Sequence, residues 1–300
     1  MSEPAALEAN GLGKRYRTTW ALQDCSFRLP EGRVAALVGP NGAGKTTLLQ
    51  LAAGLLSPTS GTVRTFGRLP DDPRALSLPD VGFLAQDQPL YKNFSVSDLL
   101  RYGQQTNVRW NDSDARRRLE SLGIPLSQKA GTLSGGQQTE VALSLCLSKH
   151  PALLLLDEPV SRLDPLARVR FFSTLMDVVA SEGTTVVLSS HVLADLERVC
   201  DFVIILSASR VQIALDIEEL LDSHKVLIGA HDDLPRSGSV GIVVRSSQIN
   251  RQITLLVREP PAVLDPLWDI REATLEEIVL AYLEDPTAGS AQRLQALESS

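Results

Sequence analysis

Nine residues constrain the fold of this chain more than any others: Gly39-Pro40-Asn41-Gly42-Ala43-Gly44-Lys45-Thr46-Thr47. They fit G-x-x-x-x-G-K-[ST], the phosphate-binding loop. The apolar run Val34 to Val38 enters the loop as a buried strand, and Thr46 to Ala53 leaves it as a helix ended by Gly54. Without side chains at Gly39, Gly42 and Gly44 the backbone can aim successive N–H groups at one point, where the helix adds its positive end. Lys45 brings a full charge to the outer phosphates, and the Thr46 hydroxyl can ligate Mg²⁺.

Three hundred residues, 43% of them apolar, can bury one large domain, or a large one with a small addition. A net charge of −7 argues against broad contact with nucleic acid or anionic lipid, while leaving a local phosphate site free to work. Apolar runs such as Ala152 to Leu156 and Phe202 to Leu206 fall far short of the roughly 20 residues of a membrane span. Met1 to Asn10 does not read as a secretory signal, so a cytosolic chain is expected. Cys25, Cys146 and Cys200 lie in apolar segments and read as reduced core thiols.

Leu7 to Leu29 reads as two short strands around a basic turn, Lys14-Arg15-Tyr16-Arg17; Tyr16 there can stack on an adenine or simply pack. Past the loop helix, Thr62 to Phe66 alternates like an edge strand and Gly67 to Pro79 reads as a proline-rich surface segment. Val81 to Ala85 is a short strand delivering Gln86. An irregular stretch with exposed Tyr91 and Phe94 leads to a helix capped by Ser95 or Ser97 and running to about Gln105. Asn111 to Leu122 looks amphipathic, with Arg116, Arg117 and Arg118 read as solvated surface.

Two sharper signals follow. Leu133-Ser134-Gly135-Gly136-Gln137 opens a long apolar helix, and Ser134 with Gln137 has capping-box spacing. Its two glycines leave the first amides open to an anion. Ala152 to Leu156 then reads as a buried strand ending in Asp157-Glu158-Pro159, where one acid can organise Mg²⁺ and the next can reach an attacking water. Ser161-Arg162-Leu163-Asp164-Pro165 forms a turn, Leu166 to Ala180 a helix, and Thr184 to Ser190 a strand ending in His191. By itself a histidine at a strand end is ordinarily structural. Leu193 to Val199 and Phe202 to Leu206 continue the alternation of helix and strand, as in a βαβ layered fold.

After about Asp216 the character changes. Asp216 with Glu219 has capping-box spacing for a short helix, and a polar stretch runs to Gly238. Val240 to Val244 and Gln252 to Val257 read as a hairpin around Ser246 to Asn250. Thr274 caps a last amphipathic helix with Leu275, Ile278, Val279, Tyr282 and Leu283 on one side. Low hydrophobicity from Asp285 to Ser300 predicts a loose tail.

Taken together, over roughly residues 7 to 215, these motifs resemble the nucleotide-binding subunits of ABC transporters. GPNGAGKTT matches Walker A, Gln86 the Q-loop, LSGGQ the family's diagnostic pentapeptide, LLLLDEP Walker B, SRLDP the D-loop and His191 the switch histidine. The resemblance implies an α/β P-loop NTPase of ABC type: a RecA-like core, an antiparallel β subdomain and a helical subdomain at about 87–150, together spanning 1–215. A small C-terminal α/β accessory domain would cover 216–284 and a disordered tail 285–300. It further implies ATP and Mg²⁺ as ligands. Tyr16 would stack on adenine, and residues Gly39 to Thr47 would hold phosphates. Thr46, Gln86 and Asp157 would organise Mg²⁺, Glu158 would be the general base, and His191 would sense the γ-phosphate. Ser134, Gly135, Gly136 and Gln137 would act on ATP held by a second cassette, with Asp164 passing information between the two sites. The implied partners are that second cassette, identical or not, and separate membrane-spanning permease chains contacted near Gln86 to Phe94, placing the chain on the cytoplasmic face of the cell membrane without insertion. The single cassette with a short C-terminal addition and the helix LEEIVLAYLED resembles subunits of ABC-2-type exporters. The alternative is a soluble ABC ATPase acting on ribosomes or DNA, a class that typically carries paired cassettes or basic patches. Two departures stand out: Gln138-Thr139-Glu140 follow LSGGQ where basic residues are usual, and Arg162 replaces a small D-loop residue.

Overall fold

The computed structural model describes residues 4–69, 80–87, 89–190, 192–230, 240–260 and 268–284. Among them the chain forms three sheets. The central one is built from β3 (Val34–Val38), β5 (Val81–Leu84), β6 (Leu153–Asp157), β7 (Thr185–Ser189), β8 (Phe202–Ser207) and β9 (Arg210–Asp216), in the order β5-β6-β7-β3-β8-β9. All pairings are parallel except that of β9, which returns antiparallel along β8. Both faces of the inner strands are covered, so β3, β6, β7 and β8 are buried along their whole length, and their period of two still sorts the side chains. Leu153, Leu155, Ala35 and Leu37 enter one core; Leu154, Leu156, Val34, Ala36 and Val38 enter the other.

The first core lies beneath α1 (Lys45–Ala52) and an antiparallel sheet of β1 (Ala5–Tyr16), β2 (Thr19–Pro30) and β4 (Ser60–Thr65), in the order β2-β1-β4. β1 and β2 are long, bulged strands rather than short ones. Tyr16 pairs with Thr19, so the turn is Arg17-Thr18 and Tyr16 ends a strand; Arg17, at φ 55°, takes the left-handed conformation that such a turn requires. A helical layer follows, with α2 (Val96–Thr106) capped by Ser95, α3 (Asp112–Ser121), and α4 (Gly135–Leu147). Two of the three arginines on α3 pair with acids of their own helix, Arg116 with Asp112 and Arg117 with Asp114. Arg118 departs from the solvated reading, because partial burial lowers its affinity for a proton against the pull of Asp114, Glu182 and Glu140.

The second core takes in α5 (Pro165–Glu182), α6 (Leu193–Glu197) and the C-terminal elements. Several of these differ from the sequence reading. β9 was not anticipated, since its turn uses Ala208 and Ser209, both at positive φ, in place of a glycine or asparagine signal. The stretch read as polar begins with a strand, β10 (His224–Ala230), central in a sheet ordered β11-β12-β10-β13. The hairpin of β11 (Ile242–Ile249) and β12 (Gln252–Arg258) turns at Asn250-Arg251, and β13 (Asp269–Glu272) is an added edge. Asp216 precedes α7 (Ile217–Asp222) without capping it, because its carboxylate pairs with Arg33 at 3.0 Å. The last helix, α8 (Leu275–Glu284), carries the expected Thr274–Glu277 reciprocal cap. Buried Tyr282 of α8 lies 3.1 Å from His224 Nε2, and His224 Nδ1 lies 2.8 Å from the Leu220 carbonyl. Val226, Leu256, Ile278 and Tyr282 share one cluster with the β3, β6, β7 and β8 side chains, so the core runs unbroken past residue 216. The proline-rich segment beyond Leu69, the tail from Asp285 and His191 lie outside the described residues.

Candidate functional site

The phosphate loop joins β3 to α1, and its glycines are required by contact as well as by angle. A Cβ on Gly39 would stand 2.3 Å from the Leu206 carbonyl oxygen, and one on Gly44 would stand 2.3 Å from that of Ala21. Gly44 has φ 107° and Gly42 φ 82°, a region open chiefly to glycine. Gly44 is also the N-cap of α1 and supplies no side-chain cap. Lys45 is buried and folds back to donate to the carbonyls of Gly39 at 2.7 Å and Pro40 at 3.2 Å. Burial pushes its ammonium down, and the nearby charges of Glu158 and Asp157 oppose that shift. One cation and two carboxylates thus share the mouth of the sheet, while Pro40, Asn41 and Thr46 face solvent.

The two acids are held by a residue that sequence reasoning missed. Asp157 closes β6 and pairs in register with Ser189, the last residue of β7. The Ser189 hydroxyl donates to Asp157 Oδ1 at 2.8 Å and accepts the Glu158 N–H at 2.8 Å. Glu158 needs that support because its φ of 49° places a non-glycine residue in the left-handed region. Ser161 adds a second tie, donating its hydroxyl to the Glu158 carbonyl at 2.9 Å. The signal available in sequence was a serine at the mouth of an apolar parallel strand, meaningful only once the β6–β7 register is known.

Elsewhere the expected residues are separate. Ser134 and Gln137 form a complete capping box at the start of α4, and Gln137 Oε1 accepts the Ser134 N–H at 3.0 Å, committing that side chain to the cap. Ser134 and Gly135 are exposed. A Cβ on Gly135 or Gly136 would make ordinary contact with Arg162 or Leu163, so this tip rests on the turn before α5. Among the described residues, no hydrogen bond or ion pair joins Ser134–Gln137 to Gly39–Thr47. Asp164 caps α5 by accepting the Ala167 N–H at 2.9 Å. Gln86 is exposed just past β5, and the next residue, Asp87, lies 3.5 Å from the Arg162 guanidinium. Tyr16 is 46% exposed, with Lys14 Nζ 5.6 Å from its ring centre, which leaves a face open to stacking. The cysteines are free; burial raises all three thiols, Cys146 to about 11.

This donor set fits a nucleotide triphosphate: a glycine cradle a Cβ would fill, an uncapped helix start and a buried ammonium. Thr46 and Asp157 offer hard oxygens of the kind Mg²⁺ takes from a protein that shares it with phosphates. The comparisons with known proteins agree. A family model described as "ABC transporter" matches residues 22–161. The uncharacterized ABC transporter ATP-binding protein YxlF of Bacillus subtilis is 35% identical over 219 residues, covering 71% of this chain and 72% of that protein. The chain belongs to the ABC transporter ATP-binding family. Nod factor export ATP-binding protein I of Rhizobium johnstonii is 33% identical over 69% of this chain and 68% of its own. ATP-binding proteins named for sulfate/thiosulfate and Fe(3+) import match as well. A solved ATP-binding subunit of an ABC transporter superposes with a TM-score of 0.66 at 26% identity, over 72% of this chain and 92% of that one. The fold is accordingly the P-loop NTPase fold of ABC type, and the protein is an ATPase subunit of a membrane transporter. Among the described residues no helix is long and apolar enough to cross a membrane.

Proposed function

We propose that this ABC subunit powers an exporter by closing with a second cassette over ATP, on the cytoplasmic face of the cell membrane. The observation that carries the reading is the Ser189 clasp, which holds Asp157 and Glu158 beside Lys45 at the end of the phosphate loop. Lys45 and the loop amides bind the phosphates, and Tyr16 stacks on the base. Bound Mg²⁺, which Thr46, Gln86 and Asp157 would hold, would neutralise charge on the phosphate oxygens. Glu158, fixed by its backbone, orients the attacking water and takes its proton. His191 is assigned the γ-phosphate contact on family grounds. The exposed tip Ser134–Gly136 presents helix amides outward and supplies the missing half of a partner's site. ATP then drives closure because it binds the closed pair better than the open one.

The permease surface we assign is a cavity of about 280 Å³ beyond β5, lined by Leu90, Tyr91, Leu99, Tyr102, Trp110 and Lys149. Tyr91 packs against Phe94 at 5.2 Å and edge-on to Tyr102 at 5.7 Å, forming an exposed aromatic rim. A short amphipathic helix from a membrane-spanning chain suits it. Export is supported by the relative named for Nod factor export. The test is retrieval of the tagged chain from native membranes. A polytopic chain is expected to copurify, to stimulate ATP hydrolysis and to be lost with Tyr102→Glu, and inverted vesicles should accumulate its substrate. Retrieval of ribosomes or DNA without a membrane chain would overturn the assignment.

A further inference from the structure

The helix that starts at Ser134 carries a charge the proposed chemistry does not use. Glu140 is only 6% exposed, and its Oε2 has no hydrogen-bond partner. One turn further along α4, the Ser144 hydroxyl is buried and equally unpartnered. Two cations act on Glu140 from opposite elements, Arg170 of α5 more strongly and Arg118 of α3 less, yet neither closes an ion pair with it. Arg118 is drawn as well toward Asp114 and Glu182, and Glu182 in turn lies 3.1 Å from His150 Nδ1. Arg170 is exposed and makes no ion pair among the described residues.

The surroundings explain why this residue matters. α4 bridges two cores: Val141 packs with α2 and α3, while Ala142 and Leu143 pack with α5 and the central sheet. Any movement of the helical layer against the core therefore passes through α4. A buried carboxylate oxygen without a bond is rare in folded proteins and unfavourable where it stands. Such a group stabilises another arrangement if its missing partner arrives there, and it then biases the balance between the two. Arg170, unpaired and on the adjoining helix, is the available partner.

We propose that Glu140 is a positioning residue for the tip Ser134–Gly136, forming an ion pair with Arg170 when α4 shifts against α5 as two cassettes close over ATP. This inference rests on the two-cassette reading above. The pair is absent from the arrangement seen here, so Glu140 favours closure without stabilising the separate chain. Burial raises the carboxyl above the usual range. It takes up its proton nearer neutrality than a surface glutamate, and closure weakens as pH falls.

The experiment measures ATP-dependent association of the full chain by sedimentation in a Glu158→Gln background, with and without Glu140→Gln, alongside thermal melting. Glu140→Gln is expected to weaken association about tenfold while leaving the melting temperature unchanged or raised. The gap should narrow as pH falls, because burial raises the carboxyl and the native side chain then becomes neutral like its replacement. Glu140→Asp should retain most of the association, and exchanging the charges with Glu140→Arg and Arg170→Glu together should recover more than Glu140→Arg alone. Equal association with and without Glu140→Gln overturns the inference alone. So does a fall in association that follows a fall in melting temperature and ignores pH, which marks a purely structural group. Absence of association in the Glu158→Gln parent overturns the two-cassette reading and this inference with it.

Discussion

Two helix starts in this molecule, those of α1 and α4, leave amides open, and they are built differently. α1 begins at Gly44 with no side-chain cap, and its own chain completes the surroundings with buried Lys45 and the two acids at the end of β6, Asp157 and Glu158. α4 begins at Ser134 with a full capping box, exposed at its tip and without a cation joined to it by any ion pair among the described residues. The first seat is whole within one chain. The second is shaped but solitary, which is the physical reason for assigning it to a neighbour's nucleotide. Capping satisfies Ser134 N–H and Gln137 N–H, and the intervening amides of Gly135 and Gly136 are left for a ligand.

The contrast can be broken most severely at the first seat. Lys45→Ala should reduce ATP hydrolysis by about a thousandfold and weaken nucleotide binding to the isolated chain; a loss under tenfold would mean the loop amides hold the phosphates alone. Ser189→Ala tests the clasp. Because its hydroxyl ties Asp157 to the Glu158 backbone, turnover should drop about 10–100-fold while ATP affinity changes little. An unchanged turnover would show that Glu158 keeps its left-handed backbone without the serine. The smallest effect is expected at the second seat. Ser134→Ala removes a cap worth about 1 kcal/mol of stability and should leave ATP binding to the monomer intact, as calorimetry can read. Weaker binding to the monomer would place the tip in its own chain's site.

Much of this was legible in the sequence because the relevant signals are local. Val34–Val38, the β6 leucines, the Ser95, Ser134 and Thr274 caps and the phosphate loop each follow from neighbours within a few residues. What escaped depends on distant pairing. β9 and β10 carry ordinary alternation but lack a turn signal, and become strands through β8 and β12. Asp216 reads as a cap until Arg33 arrives from beside β3 to claim it. Ser189 is one serine among many until register sets it opposite Asp157. Glu140 was visible as a departure from the family pattern, but its burial among arginines from α3 and α5 belongs to the fold alone.

The central claim is that one chain holds half of each ATP site. It is tested most directly by sedimentation of the Glu158→Gln chain with ATP and Mg²⁺. Retained ATP affinity, turnover lowered by about a hundredfold or more and a stable dimer that dissociates on nucleotide removal are the results the account predicts. A chain that binds ATP as tightly as before yet stays monomeric, alone and beside its membrane partner, would contradict it.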